Sequence, residues 1–103
     1  CTVHIRTSDV PYHSEAWELA DMGFLPAGAY RNRDYAEAGV TVRGGISRTM
    51  QDLLYDPQTS GGLLMAVAEE DAEVCLRELR DAIPAAAAVG YVTEKQDSWI
   101  VLE

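Results

Sequence analysis

The stretch Asp56-Pro57-Gln58-Thr59-Ser60-Gly61-Gly62-Leu63-Leu64 sets a carboxylate, two hydroxyls and a glycine pair directly ahead of an apolar run. Glycines let a chain turn so that successive N–H groups face one concavity, an arrangement that holds an anion. They also let a ligand approach the backbone with no Cβ in the way. Thr59 and Ser60 can add hydroxyl donors toward phosphate-type oxygens, and Asp56 can cap the loop or face a cation. The same residues suit a tight helix-to-strand turn in which Asp56 and Ser60 satisfy backbone groups. On residue types alone the two readings are equal. A P-loop is a different object, because the segment lacks the following lysine and helix.

The charge distribution bears on that choice. A net charge of −9 argues against nucleic acid and anionic membranes as partners. Residues 22–51 nevertheless hold Arg31, Arg33, Arg43 and Arg48 against Asp34 and Glu37, a local balance of +2 that leaves −11 elsewhere. This cationic island lies just upstream of the hydroxyl–glycine loop and could offer an anion site; four solvated arginines on unrelated faces is the plainer reading. His4 and His13 have no ligand partners at metal spacing, and the carboxylates form no metal-binding cluster in sequence. Cys1 and Cys75 make neither a disulfide framework nor a metal site. Neither is expected to be a catalytic thiol, and a reducing cytoplasm is the expected compartment.

The elements that must position the loop follow from periodicity. Residues 2–6 alternate and are β-branched, a strand. A helix is expected from Ser14 to Gly23, with Ala16, Trp17, Ala20 and Phe24 suggesting its apolar stripe. Residues 24–39 hold Pro26, Gly28 and Asn32 and read as a long ordered loop with at most a short helical turn. A short strand at 40–44 precedes a helix that Ser47 caps and Pro57 ends. The run Leu63–Val67 is continuous and apolar, the pattern of a strand buried on both faces. A helix from 69 to 82 should bury Ala72, Cys75, Leu76, Leu79 and Ile83. The end reads as a hairpin of two strands about residues 94–97. The expectation is therefore a single α+β domain over residues 1–103, with helices on one face of a mixed or antiparallel sheet. With 103 residues there is little room for a second core. No run reaches the roughly 18–20 apolar residues of a membrane span. A start at Cys1 without a charged-then-apolar leader suggests a piece of a longer polypeptide.

The full nonamer, continued by Ala66 and Val67, resembles the signature near the end of selenophosphate synthetase, the selenide, water dikinase family. Upstream, Pro26, Gly28 and Asn32 resemble that family's proline–glycine–asparagine loop, and "VGYVTE" at 89–94 resembles its late strand. The similarity covers essentially the whole chain. It departs at Ala27 and Ala29, where many members carry Gly and Thr, so a hydroxyl contact from that threonine has no counterpart here.

The resemblance implies an aminoimidazole ribonucleotide synthetase-like C-terminal half of a two-domain enzyme. That enzyme makes selenophosphate from selenide, ATP and water, uses Mg2+ and dimerises. Its N-terminal domain brings the catalytic Cys or selenocysteine, the lysine and the metal-binding aspartates. Splitting ATP needs divalent cations and fixed positive groups, which an acidic chain with one anion nest does not supply. The isolated chain is therefore expected to be inactive, with no catalytic residue or metal ligand of its own. Thr59, Ser60, Gly61 and Gly62 would face the phosphates, with Asn32 beside them and Asp56, Arg31 and Arg33 in support. Within the superfamily, thiamine-monophosphate kinase and aminoimidazole ribonucleotide synthetase are the nearest alternatives, and Gln58-Thr59 favours the selenium enzyme. A non-catalytic protein-interaction module is the alternative from another class.

Overall fold

The computed structural model describes all 103 residues. The elements are β1 (Thr2–Ile5), α1 (Ser14–Asp21), α2 (Ala27–Ala36), β2 (Val40–Val42), α3 (Arg48–Leu54), α4 (Glu69–Ala82), β3 (Gly90–Thr93) and β4 (Ile100–Leu102). Short 3-10 turns occupy Thr7–Asp9 and Glu37–Gly39. The four strands form one mixed sheet in the order β2-β4-β1-β3. Strand β1 runs antiparallel to β3 and parallel to β4, which also runs parallel to β2. The α+β class with a mixed sheet is as the sequence suggested.

Local signals explain most boundaries. Gly23 takes a left-handed φ of 83° after α1, and the reversal lets the Phe24 N–H donate to the Leu19 carbonyl at 2.9 Å. Ser47 caps α3, its Oγ accepting from the Met50 N–H at 3.2 Å. The acidic first turn of α4 (Glu69, Glu70, Asp71) and Arg80 in its last turn follow the helix dipole. The core is small. Ala20, Ala29 and Met50 are buried where α1, α2 and α3 meet, and Val101 and Leu102 are buried in the sheet.

Four expectations change. Residues 27–36 are a helix rather than a loop: Pro26 stands at its N-cap, before the first turn, where its missing N–H is not needed. Strands β3 and β4 are not a hairpin, because β1 inserts between them. Thr2 fixes that arrangement. It is fully buried, its Oγ1 donates to the Ser98 carbonyl at 2.7 Å and accepts from the Gln96 N–H at 2.8 Å, tying the 93–98 turn around the end of β1. Residues 63–67 form no strand and are exposed, since no neighbour offers them a ladder. Likewise α4 buries none of its residues; Cys75, Leu76 and Leu79 are only half-covered, and Ala72 and Ile83 are exposed.

The Thr2 clasp yields a test. Thr2→Val keeps the shape but leaves the Gln96 N–H and the Ser98 carbonyl without their partner. The expected loss is about 1–3 kcal/mol of unfolding free energy, read from urea denaturation.

Candidate functional site

The hydroxyl–glycine loop leaves the C-terminal end of α3. Tyr55 caps that helix, the Asp56 N–H donates to the Leu53 carbonyl at 3.2 Å, and Pro57 then forbids further helix. Two residues of α2 hold this exit. Asn32 Nδ2 donates to the Tyr55 carbonyl at 2.9 Å. Gly28 faces Pro57 so closely that a Cβ would lie 2.7 Å from its Cγ, which explains a glycine inside a helix. Asn32 thus engages the backbone that launches the loop.

Beyond Pro57 the chain bends at Thr59–Ser60 and stays exposed. The Gln58 N–H donates to the Asp56 carbonyl at 2.9 Å, and the Gln58 side chain folds over Gly61, occupying the space a Cβ would need. No backbone N–H from Thr59 to Gly62 has a protein partner, and neither hydroxyl hydrogen-bonds to another protein group. Gly61 and Gly62 are not among the residues with positive φ. Chemically, the loop presents several free donors on an open backbone and no charged group of its own. Asp56 is half-buried at its base.

The arginines divide. Arg31 is exposed on α2, whereas Arg33 is buried and forms an ion pair with the buried Asp52 of α3. The Arg33 guanidinium also lies over the rings of Tyr30 and Tyr55, 5.6 and 5.7 Å from their centres. Arg48 Nε approaches the same Asp52 carboxylate at 3.1 Å from the exposed side. Arg33 is therefore committed to joining α2 to α3. A cleft of about 370 Å³ opens beside this cluster, lined by Arg33, Glu37, Arg48, Gln51 and Tyr55 among others. Burial pushes the Tyr55 phenol above its ordinary pKa; Glu37 adds to the rise and Arg48 opposes it. Residues 59–62 do not line that cleft.

Asp52 does not stand out in the sequence. Its i,i+4 spacing from Arg48 was visible, but its partner Arg33 sits on a segment read as loop. His4, in β1, is buried, stacks on Tyr91 with ring centres 4.6 Å apart, and lies between Gln96 and Glu103. Tyr91 donates to Glu103 Oε1 at 3.0 Å, and that bond raises its pKa. No three His, Cys, Asp or Glu side chains converge.

No family model matches the chain. Against curated proteins it is 49% identical over 104 residues to the selenide, water dikinase of Pelobacter propionicus, with 100% of the chain and 30% of that protein covered. Selenide, water dikinase 2 of Peptoclostridium acidaminophilum is 42% identical over 102 residues, covering 98% of the chain and 29% of the relative. The selenide, water dikinase of Clostridioides difficile is 40% identical over 102 residues, with the same coverage of 98% and 29%. The matches fall on the C-terminal portion of these relatives. The chain belongs to the selenide, water dikinase family. It spans about 30% of the length of the curated relatives it matches. In this chain, the glycine and asparagine of the 26–32 segment meet Pro57 and Tyr55 where the 56–62 stretch leaves α3. Sequence alone showed them only in order along the chain.

Proposed function

We propose that this chain is the C-terminal part of an ATP-dependent enzyme that makes selenophosphate from selenide and water. The observation that carries the reading is similarity over the full chain to relatives named for that activity. The free donors of Thr59, Ser60, Gly61 and Gly62 suit an anionic ligand and would face the phosphates across an interdomain cleft. Asn32 and Gly28 would hold the base of that loop, with Asp56 beside it and Arg31 free on the outer surface. Arg33 would support it indirectly, through the α2–α3 junction. ATP and Mg2+ would be held mainly by an N-terminal domain, which would also carry the reactive groups. The active form would be a cytoplasmic homodimer, and this portion alone would be inactive. No helix is long and apolar enough to cross a membrane.

The test is the full-length protein with Thr59→Ala and Ser60→Ala together, assayed for ATP-dependent selenophosphate formation. Hydrogen bonds to charged groups contribute roughly 1.5–3 kcal/mol each, so kcat/KM is expected to fall on the order of 100-fold or more. An unimpaired double variant, or robust turnover by residues 1–103 alone, would overturn the reading.

A further inference from the structure

The run Leu63–Val67 carries a demand that nothing in this chain meets. Leu63 is 91% exposed and Leu64 69%, and no backbone N–H or carbonyl from residue 59 to 67 is hydrogen-bonded to protein. A continuous apolar run of this length suits a strand covered on both faces, and unpaired backbone on both edges invites pairing with another strand. The apolar stripe of α4, which follows directly, is only partly covered, with Ala72 and Ile83 exposed and Cys75, Leu76 and Leu79 half-covered.

The whole molecule is open to the same degree. It exposes 7486 Å², whereas a self-contained monomer of this mass exposes roughly 5,700 Å². Its radius of gyration is 14.4 Å against roughly 13 Å for a compact domain of this length. The surplus of roughly 1,800 Å² on one partner is more than twice the ~800 Å² per side of an ordinary complex, and is on the scale of permanent interfaces. What lies outside these residues in the relatives is large: the chain covers only 30% of their length, at their C-terminal end.

We infer that residues 63–67 are a strand awaiting its sheet, and that its partner is a strand from the segment preceding residue 1 in the full-length protein. That strand pairs with the backbone of 63–67, while further preceding chain covers Leu64, Met65 and the α4 stripe. Ordering this strand also fixes Thr59–Gly62 at its N-terminal end, so the interface and the donor loop form together. The inference deepens the proposed function by naming the contact that joins this portion to the rest of the enzyme.

Amide hydrogen exchange on the full-length protein tests it. The amides of 63–67 should exchange at least ~100-fold more slowly than an unstructured chain, as paired strands do; exchange at the unstructured rate would overturn the inference. A photoreactive benzophenone residue at position 65 then identifies the neighbour. Crosslinking within one chain, to a peptide preceding residue 1, supports the proposal, whereas crosslinking between two copies, or none, refutes it. Leu64→Asp in the full-length protein should abolish the protection at 63–67 while β1 stays protected; protection unchanged in that variant would also refute it. The readouts are separate from turnover. A protected strand in a protein without dikinase activity would sink only the functional reading, and an active enzyme with an unprotected 63–67 only this one.

Discussion

Replacing Asp52 with alanine is expected to destabilise the fold by about 3–5 kcal/mol, the range for breaking a buried ion pair from one side. Arg33 and Asp52 are 8% and 7% exposed, and removing the carboxylate leaves the guanidinium desolvated and unpaired. The neighbouring rings of Tyr30 and Tyr55 offset only part of that cost, since a cation over an aromatic face gains roughly 0.5–2 kcal/mol. Arg48 gives the internal control. Its contact with Asp52 is made from a side chain that is 64% exposed, so Arg48→Ala should cost no more than about 1 kcal/mol. The double variant Arg33→Met/Asp52→Leu removes both charges and should recover most of the loss. Urea denaturation of the four proteins reads all of this. An Asp52→Ala cost no larger than that of Arg48→Ala would show that the pair is not desolvated.

This junction also shows what the sequence could and could not reveal. Elements whose signals are local were legible: Ser47 as a cap, Gly23 as a stop, Pro57 as a terminator, and the dipole-matched ends of α4. The failures have one physical form. Pro26, Gly28 and Asn32 look like loop residues, yet Gly28 is there to admit Pro57 and Asn32 to reach the Tyr55 carbonyl. Both reasons lie across the fold, about 25 residues away along the chain. The late strands read as a hairpin because each is a fair strand and the segment between them is polar. Only the three-dimensional placement of β1 separates them, through Thr2. The apolar run at 63–67 has the pattern of a strand buried on both faces, yet here it is exposed and unpaired, because composition alone does not say which residues stand beside it.

The candidate site was legible in part for the same reason. Thr59 to Gly62 stood out by composition, and the structure leaves their donors free. Arg33 stood out by charge, but charge alone could not distinguish a phosphate ligand from half of an internal ion pair. That distinction needed the α2 helix, which places Arg33 against Asp52 and leaves Arg31 facing outward.

Gly90→Ala is expected to be the most damaging single-methyl change in the sheet. Gly90 lies opposite Ile5 in the β1–β3 ladder, and an added Cβ would collide with the His4 carbonyl and lie 3.2 Å from the Ile5 Cα. Both obstacles are backbone, so no side-chain rotation relieves the clash. Strand β1 cannot retreat either, because it is paired with β4 on its other edge. The overpacking cost is placed at about 3 kcal/mol, the upper end of its usual range, which for a chain of this size lowers Tm by roughly 12–24 °C. Gly45→Ala adds the same methyl where nothing lies within 4 Å, and should stay within ~0.5 kcal/mol of the parent. Loss of β3 would also remove Tyr91 from the face of His4, so the His4 ring protons should lose the upfield shift that stacking produces. If Gly90→Ala instead melts like Gly45→Ala with the stacked signal intact, β3 is not held against β1 in this register.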